Sequence, residues 1–233
     1  MSFRERVRKA LASPLGGPLA RLFAIPAVTA IVADAQGSGL DRVALSELSA
    51  AMAGVGVPPG RTFVLLSGEP SADARERARA LRAELGLPVM AQDPSHAAFV
   101  PGSLADGSPL ELDDELREAE AIVVVGRIGA DSAGRLRGGP AALLPGVASR
   151  ATREAQAVRL AARADAASRA SAAWREALDA ASLAPVDFAL LWNDADPPEV
   201  LAGEGPAVFA ACADRSWHLP SPGRPRARGA GGA

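Results

Sequence analysis

The sequence predicts an α/β fold, a mostly parallel sheet with helices on both faces, as a single domain followed by a disordered C-terminal tail. Short apolar runs alternate with helical patterns along most of the chain. The run Ala121–Val125 (AIVVV) carries no polar residue, as a strand covered on both faces requires. Hydrophobic residues make up 48% of 233 residues, enough to bury a substantial core. Together these describe a Rossmann-like three-layer architecture.

Residues 1–24 form a helical lead-in. Ala27–Ala33 (AVTAIVA) is a continuous buried-type strand, and Leu45–Ala53 a helix. A turn at Pro58–Gly60 precedes the strand Thr62–Leu66 (TFVLL). The helix Ala72–Leu85 is stopped by Gly86, since glycine tolerates the left-handed conformation that closes a helix. Pro88–Ala91 is a short third strand, and Ala121–Val125 the central one. From Arg150 to about Leu183 there is no Gly or Pro, which predicts one long helix or a kinked pair. Trp174 and Leu178 lie four apart on one face of it, at core spacing. Phe188–Trp192 (FALLW) is a further strand, and Val208–Cys212 a short apolar element. The main domain spans residues 25–218. Residues 219–233 (LPSPGRPRARGAGGA) contain almost nothing to bury and are expected to be disordered.

Composition excludes several classes. The net charge of −2 gives no reason to expect nucleic acid or an anionic membrane as partner. The basic residues before the apolar stretch Leu22–Ala33 imitate a signal peptide, but Pro26 interrupts that stretch and 12 residues cannot cross a bilayer. A cytoplasmic protein is expected. The single cysteine, Cys212, can form no intramolecular disulfide and fits a buried thiol. His96 and His218 are the only histidines, and no His-x3-His spacing supports a metal site.

Four segments carry a resemblance. They are Ala30–Gly37 (AIVADAQG), Ala53–Glu69 (AGVGVPPGRTFVLLSGE), Gly102–Pro109 (GSLADGSP) and Glu118–Val147 (EAEAIVVVGRIGADSAGRLRGGPAALLPGV). In order and spacing they resemble the N-terminal domain of the nickel-pincer lactate racemase (LarA-like) family. The last is the most specific, sharing Gly126, Gly134, Gly138, Gly139 and the Pro145-Gly146 pair. The resemblance covers roughly residues 25–212. A racemase of this family continues into a second domain.

The resemblance implies a nickel ion in a pyridinium-derived pincer cofactor that takes and returns a hydride. Two His would shuttle protons, a Lys would hold the cofactor covalently, a third His would ligate nickel and an Arg would bind phosphate. At the matching positions stand Glu69 and Asp131 for the proton-shuttling His, Ala141 for the Lys and Gln156 for the nickel His. Gln36 and Gly37 replace Thr and Arg after the retained Asp34. The chain's only Lys is Lys9, so no realignment restores the anchor. No catalytic residue, metal or cofactor of the family type is therefore expected.

The ligand-binding candidates are Asp34, Ser67, Gly68, Glu69, Asp131, Gly138 and Gly139, expected at the C-terminal edge of the sheet. Their glycines either preserve loop shape or, with Arg135 and Arg137, cradle an anion. Glu69 and Asp131 are either solvated acids or a new acid–base pair. Three functions are compatible with these residues: a pseudoenzyme that binds a small anion or a protein partner, an enzyme with altered acid–base chemistry on Glu69 and Asp131, or a purely structural domain.

Overall fold

The structure, a computed structural model, describes residues 1–22, 28–34, 39–68, 71–130 and 133–219, the side chains of Leu22, Ala97 and Ala98 excepted. The elements are α1 (Phe3–Ala12), α2 (Leu19–Leu22), β1 (Thr29–Asp34), α3 (Gly39–Gly54), β2 (Thr62–Ser67), α4 (Ala72–Leu85) and β3 (Val89–Ala91). Next come a hairpin of β4 (Ala97–Ser103) and β5 (Pro109–Asp113), then β6 (Ala121–Arg127) and a short ribbon of β7 (Gly129–Ala130) and β8 (Leu136–Arg137). The chain closes with α5 (Arg150–Ala161), α6 (Ala166–Leu183), β9 (Phe188–Trp192), β10 (Val200–Glu204) and α7 (Gly205–Asp214).

The main sheet runs β10-β9-β6-β1-β2-β3 and is parallel except for β10. Successive side chains of a strand point to opposite faces, and here both faces are covered. Ala30, Val32, Ile122, Val124, Ala189 and Leu191 enter one core, with Trp174, Val208 and Phe209 from the helices over them. Ile31, Ala33, Val123, Val125, Phe188 and Leu190 enter the other, under Val7, Leu45, Leu48 and Leu81. Two-sided burial is why β1 and β6 carry no alternating polar residue.

Local chemistry sets the helix ends. Ser2 and Glu5 cap α1 reciprocally: Ser2 Oγ accepts from the Glu5 N–H at 3.3 Å and the Glu5 carboxylate from the Ser2 N–H at 2.6 Å. Gly86 closes α4 at φ +66°, as expected from its position. The Arg150–Leu183 stretch is the kinked pair rather than one helix. Asp165 breaks it by capping α6, its carboxylate accepting from the Ser168 amide at 2.8 Å.

Two elements differ from the sequence expectation, and a third takes its type from the structure. The apolar run at Val208–Cys212 is the middle of α7. The β4–β5 hairpin was not anticipated, because Pro101, Gly102 and two register shifts break its period-2 pattern. Edge strand β10 was also missed. It is flanked by prolines, and its outer edge is met by the lead-in: Leu15 N–H donates to Ala202 O at 2.8 Å, and Glu204 N–H to Leu15 O at 2.9 Å. That pairing blunts an edge that would otherwise template association. Ala27 and residues 220–233 lie outside the described residues.

Phe188 of β9 is fully buried beneath the helical layer. Phe188→Ala is expected to lower stability by about 3–5 kcal/mol, measured as a shift of the urea unfolding midpoint with unchanged slope.

Candidate functional site

From β1 the chain winds outward through β2 to β3, then returns to β6 on the other side of β1 and continues to β9. The loops leaving β1 and β6 therefore diverge, and the crevice between them is where open α/β sheets bind ligands. Asp34 ends β1 directly beside Ser67 of β2. Gly68 comes next at φ +125°. Arg127 ends β6, and the Gly138-Gly139 turn folds against it. Asp34, Ser67, Gly68, Gly138 and Gly139 thus share the C-terminal edge of the sheet. Glu69 and Asp131 lie outside the described residues, as do Gln36 and Gly37.

Gly138 sits at φ +65°, and a Cβ there would stand 2.1 Å from the Arg127 carbonyl oxygen. Only glycine fits so close a backbone approach. Its presence is explained by loop shape alone.

What holds the edge together is Arg153, on the first turn of α5. Its guanidinium donates to the carbonyl oxygens of Gly146 (2.6 Å), Gly68 (3.3 Å) and Ala148 (2.9 Å), and to Oε1 of Gln92. Gln92 is 2% exposed and donates in turn to Ala148 O at 3.0 Å. Gly68 N–H closes the set by donating to Gly146 O at 3.0 Å. The planar fork of an arginine suits several fixed carbonyls at once, which an ammonium would not. Sequence reading missed Arg153 because an Arg among many on an Ala- and Arg-rich helix carries no signal of its own.

The electrostatics of the crevice centre on Asp41, also missed. An acid in the first turn of a helix is ordinary, complementing the helix dipole. This one is buried at 2% exposure. Burial pushes its carboxyl up to about 6, while Arg77, 3.3 Å away, pulls it down and Asp34 pushes it up. Arg127, at the end of β6, pairs at 2.8 Å with Asp194 beyond the end of β9, on the side of β6 away from β1. The crevice is therefore lined by paired charges of both signs.

The remaining candidates lie apart from that edge. Ala141 is buried in the first core, on the short 3-10 turn after Gly138. Gln156 is 2% exposed on α5, and its Nε2 has no partner. His96 is exposed, beside an acidic cleft of about 460 Å³ lined by Asp93, Asp113, Asp114 and Glu115. His218, expected beside the tail, stacks on Trp174 with ring centroids 5.0 Å apart, and burial lowers its pKa. Cys212 is fully buried, with its thiol pushed up to about 12 by burial, and is inert. Among the described residues no group of three or more His, Cys, Asp or Glu is placed to hold a metal ion. No described helix is long and apolar enough to cross a membrane.

No family model and no curated protein matches the chain. Solved structures do. The lactate racemase apoprotein of Thermoanaerobacterium thermosaccharolyticum superposes with a TM-score of 0.73 at 18% identity, covering 94% of this chain and 56% of that one. A protein from Thermotoga maritima superposes with a TM-score of 0.54 at 13% identity, covering 93% of this chain and 58% of its own. The fold is therefore lactate-racemase-like, and the chain spans little more than half the length of either neighbour.

Two outcomes test this edge. Arg153→Met keeps the aliphatic stem but takes the guanidinium from four acceptors, of which Gly146 O and Ala148 O keep the Gly68 and Gln92 donors, and is expected to cost about 2–4 kcal/mol in thermal or urea unfolding, with Arg153→Lys recovering little. Asp41 holds its proton more tightly folded than unfolded. Its contribution is therefore full below pH 4, where both states are protonated, and is lost as pH rises through about 6. Ionising it in the fold costs about 3 kcal/mol. Asp41→Asn is expected to shallow the fall in stability between pH 4 and 6 and to exceed the parent in stability at pH 8.

Proposed function

We propose that this chain is a lactate-racemase-like domain without racemase chemistry, and that it works by binding a small anionic ligand or a protein partner at the β1/β6 crevice. The reading is carried by Ala141: the Gly138-Gly139 turn keeps its shape while the alanine just beyond it offers only a methyl group buried in the core. The pincer group implied by the resemblance needs an amine there for covalent attachment. It also needs an imidazole where Gln156 presents a buried amide, whose oxygen is a poor donor to nickel. The residues present do not fit that group. The crevice still offers Arg127, Arg77 and a glycine turn, which suits a compact ligand bearing both donors and acceptors better than a bare anion, given Asp34, Asp41 and Asp194 beside them.

A second reading, altered acid–base chemistry, rests on Glu69 and Asp131. It gains an observation in Asp41, a carboxyl lifted to about 6 at the same crevice, near the pH at which proton transfer is efficient. Its pairing with Arg77 favours a structural role, so binding remains the better reading.

The test is intact-mass and nickel analysis of the chain co-expressed with a complete cofactor-synthesis pathway, followed by a chiral lactate assay. We expect the mass of the bare chain and no racemisation. A cofactor-sized increment with stoichiometric nickel would overturn the proposal. Thermal shift with 2-hydroxy acids and nucleotides is expected to show stabilisation that Arg127→Ala weakens at least tenfold in apparent Kd. No shift with any of them leaves the protein partner as the surviving half.

A further inference from the structure

The chain leaving β6 turns toward β9, Ile128 N–H donating to Trp192 O at 2.8 Å, and then forms the β7–β8 ribbon. The corner between α5 and α6 packs against this ribbon. Gly134 lies so close to the Ala166 carbonyl oxygen that a Cβ would stand 2.2 Å from it. Arg169 ties ribbon and corner together, donating from Nε to Ala133 O at 2.9 Å and from Nη1 to Arg163 O at 3.2 Å.

Arginines gather on this joint surface. Arg135, Leu136 and Arg137 alternate exposed, buried and half-buried. Leu136 enters the first core, so the two arginine stems leave on the opposite face, separated by about 7 Å of extended chain. Arg163 is exposed at the corner. Neither Arg137 nor Arg163 has an ion pair or a side-chain hydrogen bond among the described residues. Residues 129–137 and 163–169 carry these three arginines and Arg169 against Asp131 and Asp165. The Asp165 carboxylate is already engaged by Ser168, from N–H at 2.8 Å and from Oγ at 2.7 Å. Asp194, which comes within 3.4 Å of the Cβ position of Gly129, is held by Arg127. The surface is therefore basic on a chain of net charge −2. Guanidinium forks pair with carboxylates, and arginine clusters recognise acidic segments. An extended peptide presents every second side chain on one face, at the same repeat of about 7 Å that separates Arg135 from Arg137. Residues 129–137 and 163–169 include no aromatic side chain on which a base could stack, which favours a peptide over single-stranded nucleic acid.

We propose that the β7–β8 ribbon and the α5–α6 corner form a docking surface for an extended acidic segment of a partner protein. Arg135, Arg137 and Arg163 pair with its carboxylates, and Arg169 positions the ribbon. This surface lies on the β9 side of β6 and does not depend on what the β1/β6 crevice binds. Fluorescence anisotropy of a labelled octapeptide of alternating Glu and Ser, titrated with the full chain at low salt, tests it. Arg135→Gln, Arg137→Gln and Arg163→Gln together are expected to weaken binding by roughly tenfold or more. Removing the same charge from α4, by Arg75→Gln, Arg79→Gln and Arg82→Gln at exposed positions, is expected to change it less than about twofold. Arg135→Lys, Arg137→Lys and Arg163→Lys together keep the charge but lose the fork, and should weaken binding by a smaller factor than the glutamines. Equal weakening by the two glutamine triples would assign the binding to net charge and overturn the proposal. So would an unchanged anisotropy with the parent chain, or tighter binding of an RNA octamer than of the peptide.

Discussion

The arrangement of this protein depends on burying β1 and β6 from both sides. Along Ala30–Ala33 and Ala121–Val125 alternate side chains enter two separate cores, and neither face carries a polar residue there. Once both faces must be covered, the crossovers α3 and α4 are committed to one layer and α6 and α7 to the other. The point where the chain reverses its winding direction then falls between these same two strands. The crevice is a by-product of the burial, and the residues at the ends of β1 and β6 inherit it.

Holding that crevice open is a matter of backbone contacts more than side-chain chemistry. Arg153 gathers three carbonyl groups and the Gln92 amide from three chain segments that are distant in sequence. Gly138 lets the returning turn touch the β6 carbonyl at Arg127. A charge satisfied by fixed carbonyl dipoles rigidifies an edge without forming a reactive centre. Asp41, a carboxyl there with an altered proton affinity, is lifted chiefly because it is buried.

Frame and chemistry are separable in this fold: the glycine turn and the apolar residues around it set the shape beside Ala141 and Gln156. Glycines and apolar residues specify the turn. Fold and function are decided by different residues.

The sequence by itself determined the layer architecture, the main parallel strands, the stop at Gly86 and the shape-setting role of the glycine turn. Apolar runs and glycine are local signals, and local signals can be read one residue at a time. It also determined which side-chain chemistries the chain carries, a single Lys and two His among them, because the identity of a side chain needs no coordinates. Only the tertiary structure decided that Asp41 is buried, that Arg153 is a clamp rather than one more surface arginine, that His218 lies on Trp174 and that Leu15 covers the β10 edge. Each of these depends on what is brought beside a residue from 36 to 188 positions away, as with Asp41 and Arg77 or Leu15 and Gly203. Burial and partnership are properties of that meeting, and no pattern in the chain records them in advance.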